Sequence, residues 1–401
     1  MKILLVTDIP PCKNFTAGLV LDRLVSFLPK QEIAICAVIN STLQPEIPIE
    51  LNEVPKLILV KPKESGFSNL AFGLHRPLNI VNEVLRGIKV RFFILPKIVA
   101  FARAQKIEAI WIVLQGQTMV RIANPLANKL SLPLFTQIWD PLGWWLRENF
   151  VTGLMRRYFL SLYAKAIKSS RCCATASSAM SELYKSEYQV RTQAVIAGLP
   201  EQYSQGSKFK STSNDRFIIG MAGQFYSTEE WNGLIAALDA SNWIISGKEI
   251  WVRVLGPGFQ SFTQSPKNIE YLGWRSQVET VKSLRNCDLL YIPYWFSDKF
   301  KEEAKNSFPS KLVTYLCAGK AVFCHAPIYA SPSIYLSENE AGYLCHSLDP
   351  EEIVRKISEV IEDPDRYKKI SENGSICFKR DFTLESMKKS FDEFLANKEL
   401  K

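Results

Sequence analysis

Short runs of aliphatic and β-branched residues alternate with longer amphipathic stretches along nearly the whole chain, which restricts it to parallel sheets covered by helices. Strands are predicted near 2–7, 33–39, 57–61, 108–114, 134–138, 171–175 and 193–196. A second series is predicted near 217–221, 251–255, 269–272, 289–292, 321–324 and 342–345, with helices near 229–240, 277–286, 310–318 and 350–362. Between the two series the alternation stops, and Gly198 to Asp215 is polar and turn-rich, the composition of an interdomain linker. The expected architecture is α/β, with two doubly wound domains at 1–200 and 217–401 and a linker at 201–216. Ligands of such sheets bind at the carboxyl ends of the strands, so a cleft between two facing sheets is the expected place for function.

Hydrophobic residues make up 47% of the 401 and charged residues 22%, and no run approaches the ~20 apolar residues of a membrane span. The apolar run in Met1-Lys-Ile-Leu-Leu-Val-Thr-Asp8 is too short for a signal peptide, so the mature chain is expected to start at Met1. Nine cysteines form no C-x-x-C pair, and Cys36, Cys172, Cys173, Cys317 and Cys324 lie in apolar runs. They read as reduced core residues of a cytoplasmic protein, without disulfides or zinc. His75, His325 and His346 lack ligand spacing and read as structural.

Charge is unevenly shared. Residues 1–200 hold 24 Lys and Arg against 13 Asp and Glu, leaving 25 against 27 for the remainder. Within the basic half, 144–171 interleaves Arg147, Arg156, Arg157, Lys165, Lys168 and Arg171 with aromatics, and 86–106 is a second such region. Both suit peripheral contact with an anionic membrane at its inner face, and both equally suit ordinary helices with solvated charges. Nucleic acid is not expected, because no recognised binding motif accompanies the charge.

The most informative motif is Phe308-Pro-Ser-Lys-Leu-Val-Thr-Tyr-Leu-Cys-Ala-Gly-Lys-Ala-Val-Phe323, a loop, a short helix and a buried strand. It puts Lys311 in a helix's first turn, where the helix dipole disfavours a cation and the free amides attract an anion. A phosphate there would use those amides together with the ammonium; the alternative is an exposed pair with Glu302 or Glu303. Gly256-Pro-Gly-Phe-Gln-Ser261 lacks the third glycine of a dinucleotide fingerprint and reads as a turn. Asp363-Pro-Asp365 reads as a helix boundary rather than a metal site.

Together, Phe217-Ile-Ile-Gly-Met-Ala-Gly-Gln-Phe225, Asn268-Ile-Glu-Tyr-Leu-Gly-Trp274, Cys287-Asp-Leu-Leu-Tyr-Ile-Pro293 and the motif above form an ordered set. In order and spacing over 217–397 it resembles the C-terminal domain of retaining glycosyltransferases of the GT-B fold, family 4, or glycosyl transferases group 1. The first half is similar more loosely, through Thr16-Ala-Gly18, Pro133-Leu-Phe-Thr-Gln-Ile-Trp-Asp140 and Ala174-Thr-Ala-Ser-Ser-Ala-Met-Ser181.

The resemblance implies two Rossmann-like domains facing across a cleft, a C-terminal helix returning to the first domain, and a nucleoside-diphosphate sugar donor. The base would lie near Gly273, Trp274 and Arg275, and the diphosphate near Gly223, Gln224, Ser310, Lys311 and Leu312, with Gly18 facing it from the first domain. The acceptor, a glycan or lipid-linked molecule of cell-surface polysaccharide or glycolipid synthesis, would enter from the first domain, with no cofactor and no metal. Asp140 would be the nearest acid to its hydroxyl, unless it caps the following helix. The family's paired glutamates, facing sugar and ribose, fall on Asn306 and Thr314, and its arginine and lysine of the first domain-2 loop are replaced by Gln224 and Glu229-Glu230-Trp231. These departures leave two alternatives beside a transferase: a non-catalytic partner or scaffold subunit of the same fold, and a nucleotide-sugar epimerase.

Overall fold

The computed structural model describes residues 1–64, 75–205, 215–224, 226–256 and 266–396. It divides into two compact units, Met1–Val195 with Lys388–Lys401, and Ile196–Met387. Most of the expected linker (206–214) and of the Gly256–Ser261 turn lies outside the described residues.

The first unit contains β1 (Ile3–Thr7), α1 (Thr16–Ser26), β2 (Ile33–Ile39), β3 (Lys56–Val60), α2 (His75–Lys89), α3 (Leu95–Ala104), β4 (Ala109–Val113) and α4 (Gly116–Leu130). It continues with β5 (Leu134–Ile138), α5 (Leu142–Glu148), α6 (Gly153–Lys168), β6 (Cys172–Thr175), α7 (Ser178–Tyr188) and β7 (Thr192–Ala194). The seven strands are parallel in the order β3-β2-β1-β4-β5-β6-β7, with Leu4 opposite Ala34 on one side and Ile110 on the other. Helices cover both faces, so β1, β2, β4, β5 and β6 are buried at every position and read as unbroken apolar runs.

The second unit contains β8 (Arg216–Ala222), α8 (Thr228–Ala240), β9 (Ile244–Ile245), β10 (Lys248–Leu255), β11 (Ile269–Gly273), α9 (Gln277–Arg285), β12 (Leu289–Pro293) and α10 (Lys301–Asn306). It continues with α11 (Ser310–Ala318), β13 (Val322–His325), α12 (Ser331–Glu338), β14 (Gly342–Cys345), α13 (Pro350–Glu362) and α14 (Pro364–Asp381). Its parallel order is β11-β10-β8-β12-β13-β14, with β9 antiparallel on β10. One face buries Leu290, Ile292, Leu312, Leu316 and Phe378, and the other buries Ile219, Trp231, Tyr291, Ile353 and Ile357. The strand order reverses between β1 and β4 and again between β8 and β12, the switch points at which such sheets bind ligands.

A last helix, α15 (Leu384–Leu395), belongs from Lys388 onward to the first unit, as the resemblance implies. Phe391 packs on Trp111 with ring centroids 5.0 Å apart, Phe394 packs on Phe135 at 5.7 Å, and Arg191 donates to the Ala396 carbonyl at 2.7 Å. Two connections that follow strands are partly helical: 293–310 contains α10, and α12 begins inside 325–333. Short polar helices such as α10 leave little periodic signal. The expected helix boundary is present, with the Asp363 carboxylate accepting from Arg366 N at 2.9 Å.

Candidate functional site

The site of the second unit is built around α11. Proline at its N-cap has no side-chain acceptor, and no acidic residue occupies the first turn, so the helix reaches its loop with its positive end uncompensated. Leu312, Val313, Tyr315 and Leu316 turn into the core and fix the helix's rotation. The Tyr315 hydroxyl accepts from Ala222 N at 2.8 Å, tying α11 to the carboxyl end of β8. One turn earlier on the same face, Lys311 Nζ donates to the Gln224 carbonyl at 3.2 Å and sits 4.2 Å from the Tyr226 ring centroid. Among the described residues no carboxylate pairs with Lys311, so the alternative of a pair with Glu302 or Glu303 is not what forms. Desolvation lowers its pKa from the ordinary lysine range to about 7.

Leu312 was expected beside the diphosphate, but its side chain is fully buried and its N–H already donates to the Pro309 carbonyl at 2.9 Å. The first-turn amides open to a ligand are therefore those of Ser310 and Lys311.

Glycines at three adjacent strand ends give this region its shape. Gly223 (φ +101°) donates to the Leu255 carbonyl at 2.9 Å, and Gly256 (φ +145°) donates to the carbonyl of Gly273 (φ +68°) at 3.0 Å. A Cβ at Gly223 would lie 3.6 Å from Lys311 Cε, and one at Gly256 would lie 2.5 Å from the Gly223 carbonyl oxygen. Gly256→Ala is therefore expected to cost about 2 kcal/mol, through a backbone clash and a disfavoured φ, read as a lower melting temperature. Beyond Gly273, Trp274 is 69% exposed, Arg275 donates to the Trp274 carbonyl at 2.9 Å, and the Ser276–Glu279 capping box starts α9. The loop thus presents a flat aromatic surface held by a capped helix.

Asn306 is buried and its amide donates to the Glu302 carbonyl at 2.8 Å, while Thr314 is half-buried in α11 three residues beyond Lys311. Next to Lys311 the structure adds an aromatic wall that sequence reasoning missed. Tyr226 lies 4.9 Å from Trp295, Trp295 stacks on Phe300 at 5.2 Å, and Trp295 Nε1 donates to the Tyr226 carbonyl at 2.9 Å. Glu230 holds this wall in place: it is buried, burial raises its pKa, and its carboxylate accepts from Phe296 N at 2.6 Å. The i, i+4 spacing of Lys311 and Tyr315 was the available signal for one anchor; nothing local marked Tyr226 or Trp295.

In the first unit, Gly18 has a packing reason, since a Cβ there would lie 2.1 Å from Cys12 Sγ. Asp140 is half-buried just beyond β5, and the N-cap position of α5 is taken by the next residue, Pro141. Unforeseen is a buried ionic group at the ends of β1 and β3, where Lys61 Nζ contacts Asp8 at 3.2 Å and Glu64 at 2.8 Å. Glu64 also accepts from Thr118 N, so a resident carboxylate occupies the positive end of α4.

All nine cysteines are free and buried. His325 is fully buried, with Nδ1 2.8 Å from the Tyr291 hydroxyl and Nε2 2.7 Å from the Ser347 carbonyl, and desolvation lowers its pKa to about 4. It is the structural histidine expected. Among the described residues no group of three or more His, Cys, Asp or Glu is placed to hold a metal ion.

Residues 202–376 match the family described as Glycosyl transferases group 1. Comparison with curated protein sequences gives no match. Among solved structures, the chain is similar to Anabaena Alr3699/HepE in complex with UDP, at 15% identity and a TM-score of 0.66 over 98% of this chain and 99% of that one. It is similar also to sucrose-phosphate synthase from Thermosynechococcus elongatus, at 10% identity and 0.66 over 98% of each. A third is WaaG, a glycosyltransferase involved in lipopolysaccharide biosynthesis, at 10% identity and 0.60 over 98% of this chain and 100% of that one. The second unit therefore carries a glycosyl transferases group 1 domain, which indicates a glycosyltransferase, and the chain has the two Rossmann-like parallel sheets of the GT-B fold.

Proposed function

We propose that the chain, as a family 4 enzyme, transfers a hexose with retention and without a metal from a uridine-diphosphate sugar to a glycan or lipid-linked acceptor. Its setting would be cell-surface polysaccharide or glycolipid synthesis at the cytoplasmic face of a membrane. The observation that carries this reading is Lys311, a desolvated ammonium at the start of α11 with no carboxylate partner among the described residues, beside Gly223. Anabaena HepE was solved with UDP and with UDP-glucose, which supports a uridine donor.

The roles follow from charge and reach. Breaking the sugar–phosphate bond places charge on the departing diphosphate, which Lys311 and the amides of Ser310 and Lys311 would stabilise in place, with side-chain-free Gly223 leaving room beside the ammonium. Trp274 offers a flat surface to the base, flanked by Gly273 and Arg275; Gln224 lies along the diphosphate; Thr314 faces the ribose and Asn306 the sugar. The first domain takes the acceptor, with Asp140 the acid nearest its hydroxyl and Gly18 on the phosphate side. In a retaining transfer without an enzyme nucleophile, the acceptor oxygen attacks on the leaving-group face and its proton passes to the departing phosphate oxygen. Neutral Asn306 and Thr314 do not block that route.

A thermal-shift screen of nucleotide sugars tests the reading. UDP and one UDP-hexose at a hundredfold excess over Kd are expected to stabilise the chain by about 2.7 kcal/mol. Product made from that donor should keep the anomeric configuration, as read by NMR. No shift with any nucleotide would sink donor binding, and an inverted product would sink retention.

A further inference from the structure

A continuous apolar surface faces outward along α2 and the π-helical turn Val90–Ile94 that follows it. Val81, Val84, Leu85, Ile88, Phe92 and Phe93 are each between 44% and 62% exposed. The first four recur at i, i+3, i+4 and i+7, so they share one helix face. The opposite face is polar where it meets the domain: buried Glu83 accepts from Arg86, from Arg121 Nη2 at 2.6 Å and from Gln117 Nε2 at 3.1 Å. Arg121 in turn lies 4.5 Å over the Phe159 ring. This helix is thus held to α4 by buried ion pairs and shows its apolar side outward, the reverse of an ordinary surface helix. Pro96 has no N–H for the Phe92 carbonyl, and the widened turn before it lets Phe92 and Phe93 both face outward while Val90 and Ile94 stay buried.

Cations frame the surface. Lys89, Arg91, Lys97 and Arg103 are exposed, and from 84 to 107 the chain has no Asp or Glu. A second copy seated on this face by two-fold symmetry would oppose those cations to their own kind, whereas an anionic bilayer complements both the charge and the apolar stripe. Nearby helix α6 carries a smaller surface of the same kind, Leu154 (73% exposed) and Tyr158 (46%) beside Arg157, although Phe159 and Tyr163 of that helix are core residues.

We propose that α2 and its π turn form an interfacial insertion element that seats the first unit on an anionic lipid surface. This deepens the lipid-linked acceptor reading and rests on it for its purpose, but vesicle binding is measured independently of any sugar transfer. The full chain is expected to sediment with phosphatidylcholine vesicles containing about one third phosphatidylglycerol. Phe92→Ser with Phe93→Ser should lower the partition coefficient about tenfold or more, and the loss should persist at high salt. Lys89→Gln with Arg91→Gln should lower it about tenfold at low salt only. Both variants should keep the wild-type melting temperature and UDP affinity, since the replaced side chains are exposed and lie in the other unit. The proposal is overturned if the wild-type chain does not bind these vesicles, or if the phenylalanine pair leaves partition unchanged. A concentration-dependent dimer abolished by that pair would also overturn it. Loss of UDP binding in the wild-type chain would instead count against the donor reading alone.

Discussion

Replacing Lys311 with methionine is expected to lower kcat/KM for donor turnover by about 10²–10³-fold, the effect of deleting one preorganised group that stabilises transition-state charge. UDP affinity should fall about tenfold to a hundredfold, in the range of one charge-assisted hydrogen bond. The substitution should not unfold the protein. A lysine whose folded pKa is lowered to about 7 binds its proton more weakly in the native state than in the unfolded one, so at and below neutral pH its charge destabilises the fold. Methionine keeps the stem beside Gly223 and Tyr226 and removes that cost, so the melting temperature should stay level or rise. Wild-type turnover and affinity in a folded Lys311→Met protein would show that the diphosphate lies elsewhere.

UDP-glucose affinity is expected to decline with pH across a range where the ligand's own charge is constant. Free Lys311 titrates at about 7, and a diphosphate in contact with the ammonium would raise that value in the complex. Binding then takes up a proton above the free pKa. Affinity should be level below about pH 7 and fall by up to tenfold per unit above it, reaching about a hundredfold by pH 9 if the bound pKa exceeds that. Calorimetry in buffers of different ionisation enthalpy would show the proton uptake directly. Lys311→Met and Lys311→Arg should both be flat over the same range, one always neutral and the other always charged. A wild-type profile as flat as theirs would mean that the ammonium does not meet the ligand.

The missing cations of the first loop in the second unit have a structural counterpart. Where the resemblance leads one to expect a basic grip, Glu230 is buried and spends its carboxylate on Phe296 N, fastening a loop whose Trp295 supports Tyr226. Tyr226 then covers the Lys311 ammonium. The loop sets an aromatic wall beside Lys311 in place of direct charge, so under the proposed reading the donor site would depend on Lys311 more heavily than a site with three cations would.

Much of this was legible in the chain itself. Strands buried on both faces appear as unbroken aliphatic runs, and the helix beginning at Ser310 was readable because proline precedes it and apolar residues repeat at its period. Lys311 stood out because its charge opposes the helix end on which it sits. Asn306 and Leu312 could be placed near the site by spacing, but their orientation could not. Whether an amide donates to its own helix, or a backbone N–H is already taken, is decided by rotations at a helix end that leave no trace in composition.

Local periodicity and turn chemistry by themselves determined the order of elements, the two series of strands and the position of Lys311 in a helix's first turn, because each depends on residues a few places apart. Tertiary structure alone decided what surrounds that cation and which way the helix at 75–89 faces. The Tyr226 ring, the Gly256 backbone and the buried Glu83–Arg121 pair meet their partners across tens of residues, and amphipathicity has the same period whether the apolar side turns in or out.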